Sequence, residues 1–354
     1  MGLIIIMMSF REDKLLATNV PMRIVSLISK INEYKGKQVL YNQQAPEVLN
    51  TLKNVAIIQS TRASNSLEGI TIKDTRLIDI MQNKVQPANR SEGEIAGYRD
   101  VLATIHSSYD AIPVKPSILL QFHRDLYRFI SLEGGSWKNS DNAIEEVYPD
   151  GSKFVRFNPV SSFATPGAIE ELCKFYNQYS NSGEIDSLML ISATILDFLC
   201  IHPFCDGNGR MARLLTLLLL YKEGYEVGRF ISLEQIIEES KDAYYDTLYQ
   251  SSQNWHEGKH DLLIWSEYLL GIILAAYKEL MDRVGKVSRA RGNKAMRVEE
   301  TIDHFVSNFS INDIRRRCPD ISPSTINRVL AKLRDANKIE VLGIGRGAKW
   351  KKNY

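Results

Sequence analysis

His202-Pro203-Phe204-Cys205-Asp206-Gly207-Asn208-Gly209-Arg210-Met211-Ala212-Arg213 puts an imidazole, a carboxylate, a Gly-Asn-Gly turn and two guanidiniums within twelve residues. Glycine tolerates the backbone conformations a concave nest of N–H groups needs, and such a nest receives an anion. The run Arg210–Tyr221 predicts a helix, so the nest falls at a helix N-terminus, where the dipole and unpaired N–H groups favour phosphate. Upstream, Asp186–Ile201 is apolar nearly all round, as a buried central helix is. Leu214, Leu215 and Leu217–Leu220 require the following helix to be buried as well. The stretch is therefore a loop joining two core helices, and the fold reads as mainly α. Asp206 is a hard oxygen ligand suited to Mg²⁺ shared with phosphate oxygens. Arg210 and Arg213 stand three apart on one helical face and can both fork onto phosphate. His202 is a candidate base. An ordinary polar loop is the alternative, but eight defined positions coincide here: His202, Phe204, Asp206, Gly207, Asn208, Gly209, Arg210 and Arg213.

Outward from the loop, helical spacing recurs over 46–67, with Gly69 as a natural stop, and over Asp74–Met81, Gly93–Ser107 and Lys115–Ile130. Gly134–Pro159 has a different texture. Ala143–Tyr148 and Lys153–Phe157 flank Pro149-Asp150-Gly151, which predicts a hairpin. Thr165–Asn181, Ser232–Gln250 and Asp261–Val284 complete an all-α body. Residues 285–295 read as a linker. Beyond it, Met296–Val306, a Ser310-capped helix to Arg317, a Pro319-Asp320 turn and a Ser322/Pro323-started helix to Asn337 precede a small hairpin around Gly343–Gly347. Three helices and a basic hairpin resemble a winged helix-turn-helix over 296–354.

Apolar content of 44% and charged content of 24% fit a soluble globular protein, and 354 residues suffice for two or three domains. Charge is divided unevenly. Arg291–Tyr354 holds 14 Lys and Arg against 7 Asp and Glu, a net of +7, and the remainder holds 30 against 35, a net of −5. Cys173, Cys200, Cys205 and Cys318 form no Cys-x-x-Cys pair and no disulfide framework. The apolar Met1–Met8 has no basic segment before it and is too short for a signal peptide. Asp197 and Arg213 interrupt the longest apolar runs, so no membrane span is predicted and the cytoplasm is the default location.

The twelve-residue stretch resembles the signature of the Fic family, His-x-Phe-x-Asp/Glu-Gly-Asn-Gly-Arg-x-x-Arg, at every fixed position. The resemblance covers roughly Asn50–Val284. It implies a Fic-type helical bundle with a β-hairpin flap, and transfer of a nucleoside monophosphate, usually AMP from ATP, to a hydroxyl of a target protein. His202 would be the catalytic base, Asp206 the ligand of Mg²⁺ (or Mn²⁺), and Asn208 with the nest amides the stabiliser of α- and β-phosphate oxygens. Arg210 and Arg213 would position the β- and γ-phosphates, and the whole run from Asp206 through Gly207, Gly209, Met211 and Ala212 falls to the nucleotide. Phe204 would anchor the loop. Tyr244 and Tyr245 lie where the family often has a helix over the base, with core packing the open alternative. The hairpin about 143–157 resembles the flap that receives the target by strand addition, with an ordinary structural hairpin the alternative.

Ser64-Asn65-Ser66-Leu67-Glu68-Gly69 matches the family's Ser/Thr-x-x-x-Glu-Gly/Asn inhibitory motif, on a helix about 47–68 that follows an N-terminal segment 1–45. Ser64 and Glu68 share a helical face. The resemblance implies that Glu68 pairs with Arg213 and denies the γ-phosphate its partner; the same glutamate would serve removal of AMP by positioning water. Two other readings stay open: transfer of a different phosphate-linked group, and a DNA-binding regulator whose body senses nucleotide. The basic C-terminal region suits duplex DNA, with protein docking or homodimer formation as the alternative.

Overall fold

The computed structural model describes residues 9–44, 46–147, 150–303, 305, 308–318, 321–343 and 348–353. The Met1–Met8 stretch, Pro149 of the expected hairpin turn, the Pro319-Asp320 turn and wing residues 344–347 lie outside the described residues. Two units divide the chain, Met1–Leu280 and Met281–Tyr354.

The first unit runs through α1 (Met22–Gln44), α2 (Pro46–Leu67), α3 (Asp74–Met81), α4 (Arg90–Ser108) and α5 (Pro116–Leu126). A two-stranded hairpin follows, β1 (Ile144–Val147) and β2 (Lys153–Phe157). Then come α6 (Thr165–Ser182), α7 (Ser187–Ile201), α8 (Asn208–Lys222), α9 (Leu233–Glu239), α10 (Lys241–Ser252) and the start of α11 (Leu262–Asp303). The two all-apolar helices lie at the centre, as their patterning requires. α7 packs between α6 and α8, and α8 in turn touches α2, α4 and α5. Leu214, Leu215 and Leu217–Leu220 are each at most 2% exposed, and each stabilises the fold by about 1.5–3 kcal/mol. Asp186 caps α7 by accepting from the N–H groups of Leu188 and Met189. Asp197, buried inside α7, accepts from the Ser9 hydroxyl at 2.6 Å and the Trp255 indole at 2.7 Å, which ties residue 9 to the core.

Three elements differ from expectation. α1 is a full helix where only an N-terminal segment was expected. Its buried positions Ile24, Ile31 and Gln38 form a seam one residue wide, while Met22, Val25 and Val39 are exposed and blur the period. The run read as one helix over Ser232–Gln250 breaks at Ser240, whose hydroxyl meets the Ile236 carbonyl and Tyr268 and competes with the helical ladder. The linker over 285–295 is corrected to helix, since α11 runs unbroken from Leu262 to Asp303. Glycine in a helix costs only about 1 kcal/mol, and without proline Gly285 and Gly292 do not stop it. Among the described residues no helix is long and apolar enough to cross a membrane.

The second unit joins the end of α11 to α12 (Ile311–Arg317) and α13 (Pro323–Asp335). It adds a three-stranded sheet in the order β3 (Phe309–Ser310), β5 (Lys349–Lys352), β4 (Ile339–Leu342). Ser310 and Asp313 form a capping box on α12. Ser322 caps α13, with Pro323 in its first turn. Ile326, Val329, Leu330 and Leu333 bury the inner face of α13 against Phe309 and Trp350. Ser324, Asn327 and Arg328 stand exposed on its outer face.

Candidate active site

The loop between α7 and α8 is bounded by two left-handed residues. His202 ends α7 at φ 51°, and Gly207 caps α8 at φ 79°. A side chain at Gly207 would meet the Tyr127 hydroxyl at 2.9 Å, so glycine is required there by space as well as by conformation. Phe204 is fully buried and stacks on His123, ring centroids 3.8 Å apart. His123 accepts from the Gly135 N–H at Nδ1, which leaves Nε2–H to donate to the Asp206 carbonyl at 3.1 Å. Asn208 accepts from the Phe204 N–H at 2.9 Å and donates to the Phe204 carbonyl at 2.8 Å. Through these bonds the buried Asn208 side chain clamps the loop. The amides of Asn208, Gly209 and Arg210 form the open first turn of α8.

The two arginines separate. Arg213 donates from Nε to the Ser64 hydroxyl at 2.8 Å, and from Nη2 to the Ser64 carbonyl at 2.8 Å and the Glu68 carboxylate at 2.7 Å. Its Nη1 is buried with no hydrogen-bond partner among the described residues. The Glu68 carboxylate lies directly over Gly209, in the space a side chain there would take. Ser64 and Glu68 thus both meet Arg213, with α2 ending at Leu67 and Gly69 turning away at φ 78°. Arg210 behaves otherwise. It is 1% exposed and donates to Glu94 at 2.9 Å and to the Tyr127 hydroxyl at 3.1 Å. Through these bonds Arg210 fastens α8 to α4 and α5. Met211 and Ala212 follow on the same turn of α8. Their side chains are buried, and the Met211 N–H already bonds the Gly207 carbonyl.

A cavity of about 220 Å³ opens beside these groups. Its polar lining includes Glu68, Arg156, His202 and Arg213, and its apolar wall includes Leu196, Leu199 and Leu248. Tyr244 and Tyr245 both line it. Tyr244 is also core, 3% exposed and edge-on to Trp265, while the Tyr245 hydroxyl donates to the Leu67 carbonyl at 3.3 Å. Burial and the nearby Lys138 ammonium push the His202 imidazole down to about 4, against the opposing Leu199 carbonyl, Glu68 and Asp206. His202 is therefore neutral at pH 7. Its Nδ1 lies 3.3 Å from the Leu199 carbonyl, which can only accept, so Nδ1 carries the proton and Nε2 keeps the lone pair.

Asp206 has an exposed carboxylate. One oxygen accepts from the Gly207 N–H at 2.6 Å, and the other faces Arg90 at 3.3 Å. Among the described residues no three His, Cys, Asp or Glu side chains converge on a metal position. Mg²⁺ needs only one or two carboxylates when phosphates and water complete its shell, so Asp206 beside the nest fits that ion. The spacing of the loop pointed to Arg213 and the family resemblance to Glu68, but Glu94, Tyr127, His123 and Lys138 escaped both. Of these only Glu94 carried a local signal, standing four residues after Arg90 on one helical face.

The open first turn of a buried helix thus lies beside an arginine and a neutral imidazole on one cavity. Residues 113–220 match the model of the Fic/DOC family. Its curated relatives include the protein adenylyltransferase Fic of Drosophila erecta, 26% identical over 185 residues, or 50% of this chain and 34% of that one. That of Drosophila melanogaster is 25% identical over 50% of this chain and 35% of its own. The chain spans about a third of the length of these relatives. A Fic family protein from Desulfovibrio desulfuricans G20 shares the fold over 95% of this chain and 97% of its own, with TM-score 0.61 and 18% identity. A Fic domain containing signaling protein from Bacteroides thetaiotaomicron VPI-5482 matches 75% of this chain and 98% of its own, with TM-score 0.59 and 21% identity.

Proposed function

We propose that this protein transfers AMP from ATP to a Ser, Thr or Tyr hydroxyl of a target protein, and that Glu68 restrains the transfer by pairing with Arg213. The observation that carries this reading is a carboxylate bonded to Arg213 at 2.7 Å and seated over Gly209, where an incoming phosphate would lie. Two anions cannot share that place.

In the released state the buried Arg213 turns its donors to the γ-phosphate, and the open amides of the first turn of α8 receive the phosphate oxygens before it. The adenine would enter the cavity between Leu248 and Tyr245. Nε2 of His202 takes the proton of the target hydroxyl as its oxygen bonds the α-phosphorus and pyrophosphate departs. Mg²⁺ held by Asp206 would neutralise charge on the phosphates. The target backbone is proposed to lie along the β1–β2 hairpin by strand addition, a reading supported by that sheet's having only two strands.

The test is incubation of the full chain with α-labelled ATP and Mg²⁺. Glu68→Gly should label itself strongly where wild type labels little. Glu68→Gly with His202→Ala should lose about 10²–10⁴-fold of that transfer while still binding ATP. Labelling that survives His202→Ala unchanged would refute the assignment of the base.

A further inference from the structure

Lys138 belongs to no helix or strand, yet its residue is only 3% exposed, an unusual position for a lysine. What it reaches explains the burial. Its ammonium donates to the Ile201 carbonyl at 3.1 Å and to Asn142 Oδ1 at 2.9 Å, and its backbone N–H donates to the Pro203 carbonyl at 2.9 Å. Ile201 and Pro203 are the residues on either side of His202. One residue thus holds the peptide groups flanking a histidine whose own backbone is in the left-handed region at φ 51°, a conformation that persists only where its surroundings over-determine it. Asn142 aims the ammonium and reaches the Phe204 carbonyl at 3.4 Å, and the neighbouring Trp137 stacks on Phe204 at 5.3 Å. Segment 137–142 is a strap across the loop, and Lys138 is the part of it that touches both neighbours of His202.

We propose that Lys138 is a positioning residue for His202, gripping the carbonyls before and after it so that the imidazole is presented to the target hydroxyl. This rests on the role given to His202 above. The charge acts in the same direction as the geometry. Facing the imidazole are Glu68 and Asp206, which favour its protonation, and Lys138, which opposes it; Arg213, Arg156, Tyr244, Tyr245 and Tyr249 line the same cavity. An ammonium beside a base keeps that base unprotonated.

The experiment uses the full chain in the Glu68→Gly background. Lys138→Met should lower kcat for self-transfer tenfold to a hundredfold with KM for ATP nearly unchanged, the size expected of a misplaced reacting group. In the same protein, ¹³C-labelled imidazoles followed by NMR should show His202, identified by its loss in His202→Asn, titrating at higher pH than in the parent. A purely structural lysine would lower the melting temperature and leave that titration in place. An unchanged kcat together with an unchanged His202 titration would overturn the proposal. Should Lys138→Met fail to fold, Asn142→Ala removes the group that aims the ammonium and must move both readouts the same way, by less, or the proposal falls. If the Glu68→Gly parent itself transfers no AMP, the functional reading fails, and the titration arm still decides Lys138.

Discussion

Arg210 and Arg213 leave the first turn of α8 three residues apart with the same charge, and the protein neutralises them by opposite means. Arg210 is closed in by Glu94, whose side chain is 3% exposed, and by the Tyr127 ring and hydroxyl. Glu94 is also held by Arg90 at 2.6 Å, so that carboxylate has no freedom to leave. Arg213 is as deeply buried, but its carboxylate comes from Glu68, one residue past the end of α2 and 31% exposed. When Glu68 departs, Arg213 keeps the Ser64 hydroxyl and carbonyl and faces a cavity. A buried charge with a fixed partner holds the fold together, and one with a removable partner leaves a site. Proximity along the helix decides neither role; the freedom of the partner does.

The comparison breaks first at Glu94. Removing one member of a buried pair costs about 3–5 kcal/mol because the other is left uncompensated. Glu94→Gln should therefore lower the unfolding free energy by that amount in a denaturant titration, with no gain in self-labelling. A rise in labelling would mean that Arg210 serves the nucleotide after all. At Glu68 the expectation is reversed. Glu68 is partly exposed and Arg213 keeps both Ser64 contacts, so Glu68→Gly should cost less stability than Glu94→Gln does in the same titration. Its transfer activity should rise ten- to hundredfold, equivalent to a restraint of about 1.4–2.8 kcal/mol. Adding Arg213→Ala should erase the gain, and a double variant that stays active would detach Arg213 from the restraint.

The sequence made one of these partners visible and hid the other for a physical reason. Ser64 and Glu68 fall in a stretch that resembles the family's inhibitory motif, and that resemblance, more than their spacing of one helical turn, pointed to the grip on Arg213. Glu94 meets Arg210 across 116 residues of chain, a pairing that packing alone decides. The partners that Asn208 holds in this structure were hidden for a similar reason. Its side chain type suits phosphate, but the loop's own Phe204 amide and carbonyl are nearer. The two central helices were legible because an all-apolar segment has only one place to go. α1 was not, since exposed Met22, Val25 and Val39 obscure its narrow buried seam. The continuity of α11 through 285–295 was hidden by its glycines and charges, a composition that suits a linker and a solvated helix alike.

The smallest expected effect sharpens the contrast through groups that, unlike the arginines, change charge near neutrality. His123 lies under the loop with its imidazole pushed down to about 4, first by burial and further by Arg210, against the opposing Asp206 carbonyl and carboxylate. In the unfolded chain a histidine titrates near 6.5. Below that value the unfolded state therefore binds a proton the folded state refuses. The stability His123 provides is complete above pH 6.5 and is lost as pH falls toward 4, at up to about 1.4 kcal/mol per pH unit. Asp197 works in the opposite sense. Burial raises its carboxyl to about 6, so between the ordinary carboxylate range and pH 6 the folded state binds the proton more readily, and acidification there partly restores stability. Melting temperatures should thus fall on the acid side, with the buried His106, His202 and His260 adding to the slope of His123 and Asp197 opposing it. His123→Gln should remove one proton's worth of that slope and Asp197→Asn should steepen it. A His123→Gln profile parallel to wild type would mean that the imidazole beneath the loop is already charged, and that the stacking under Phe204 does not depend on its neutrality.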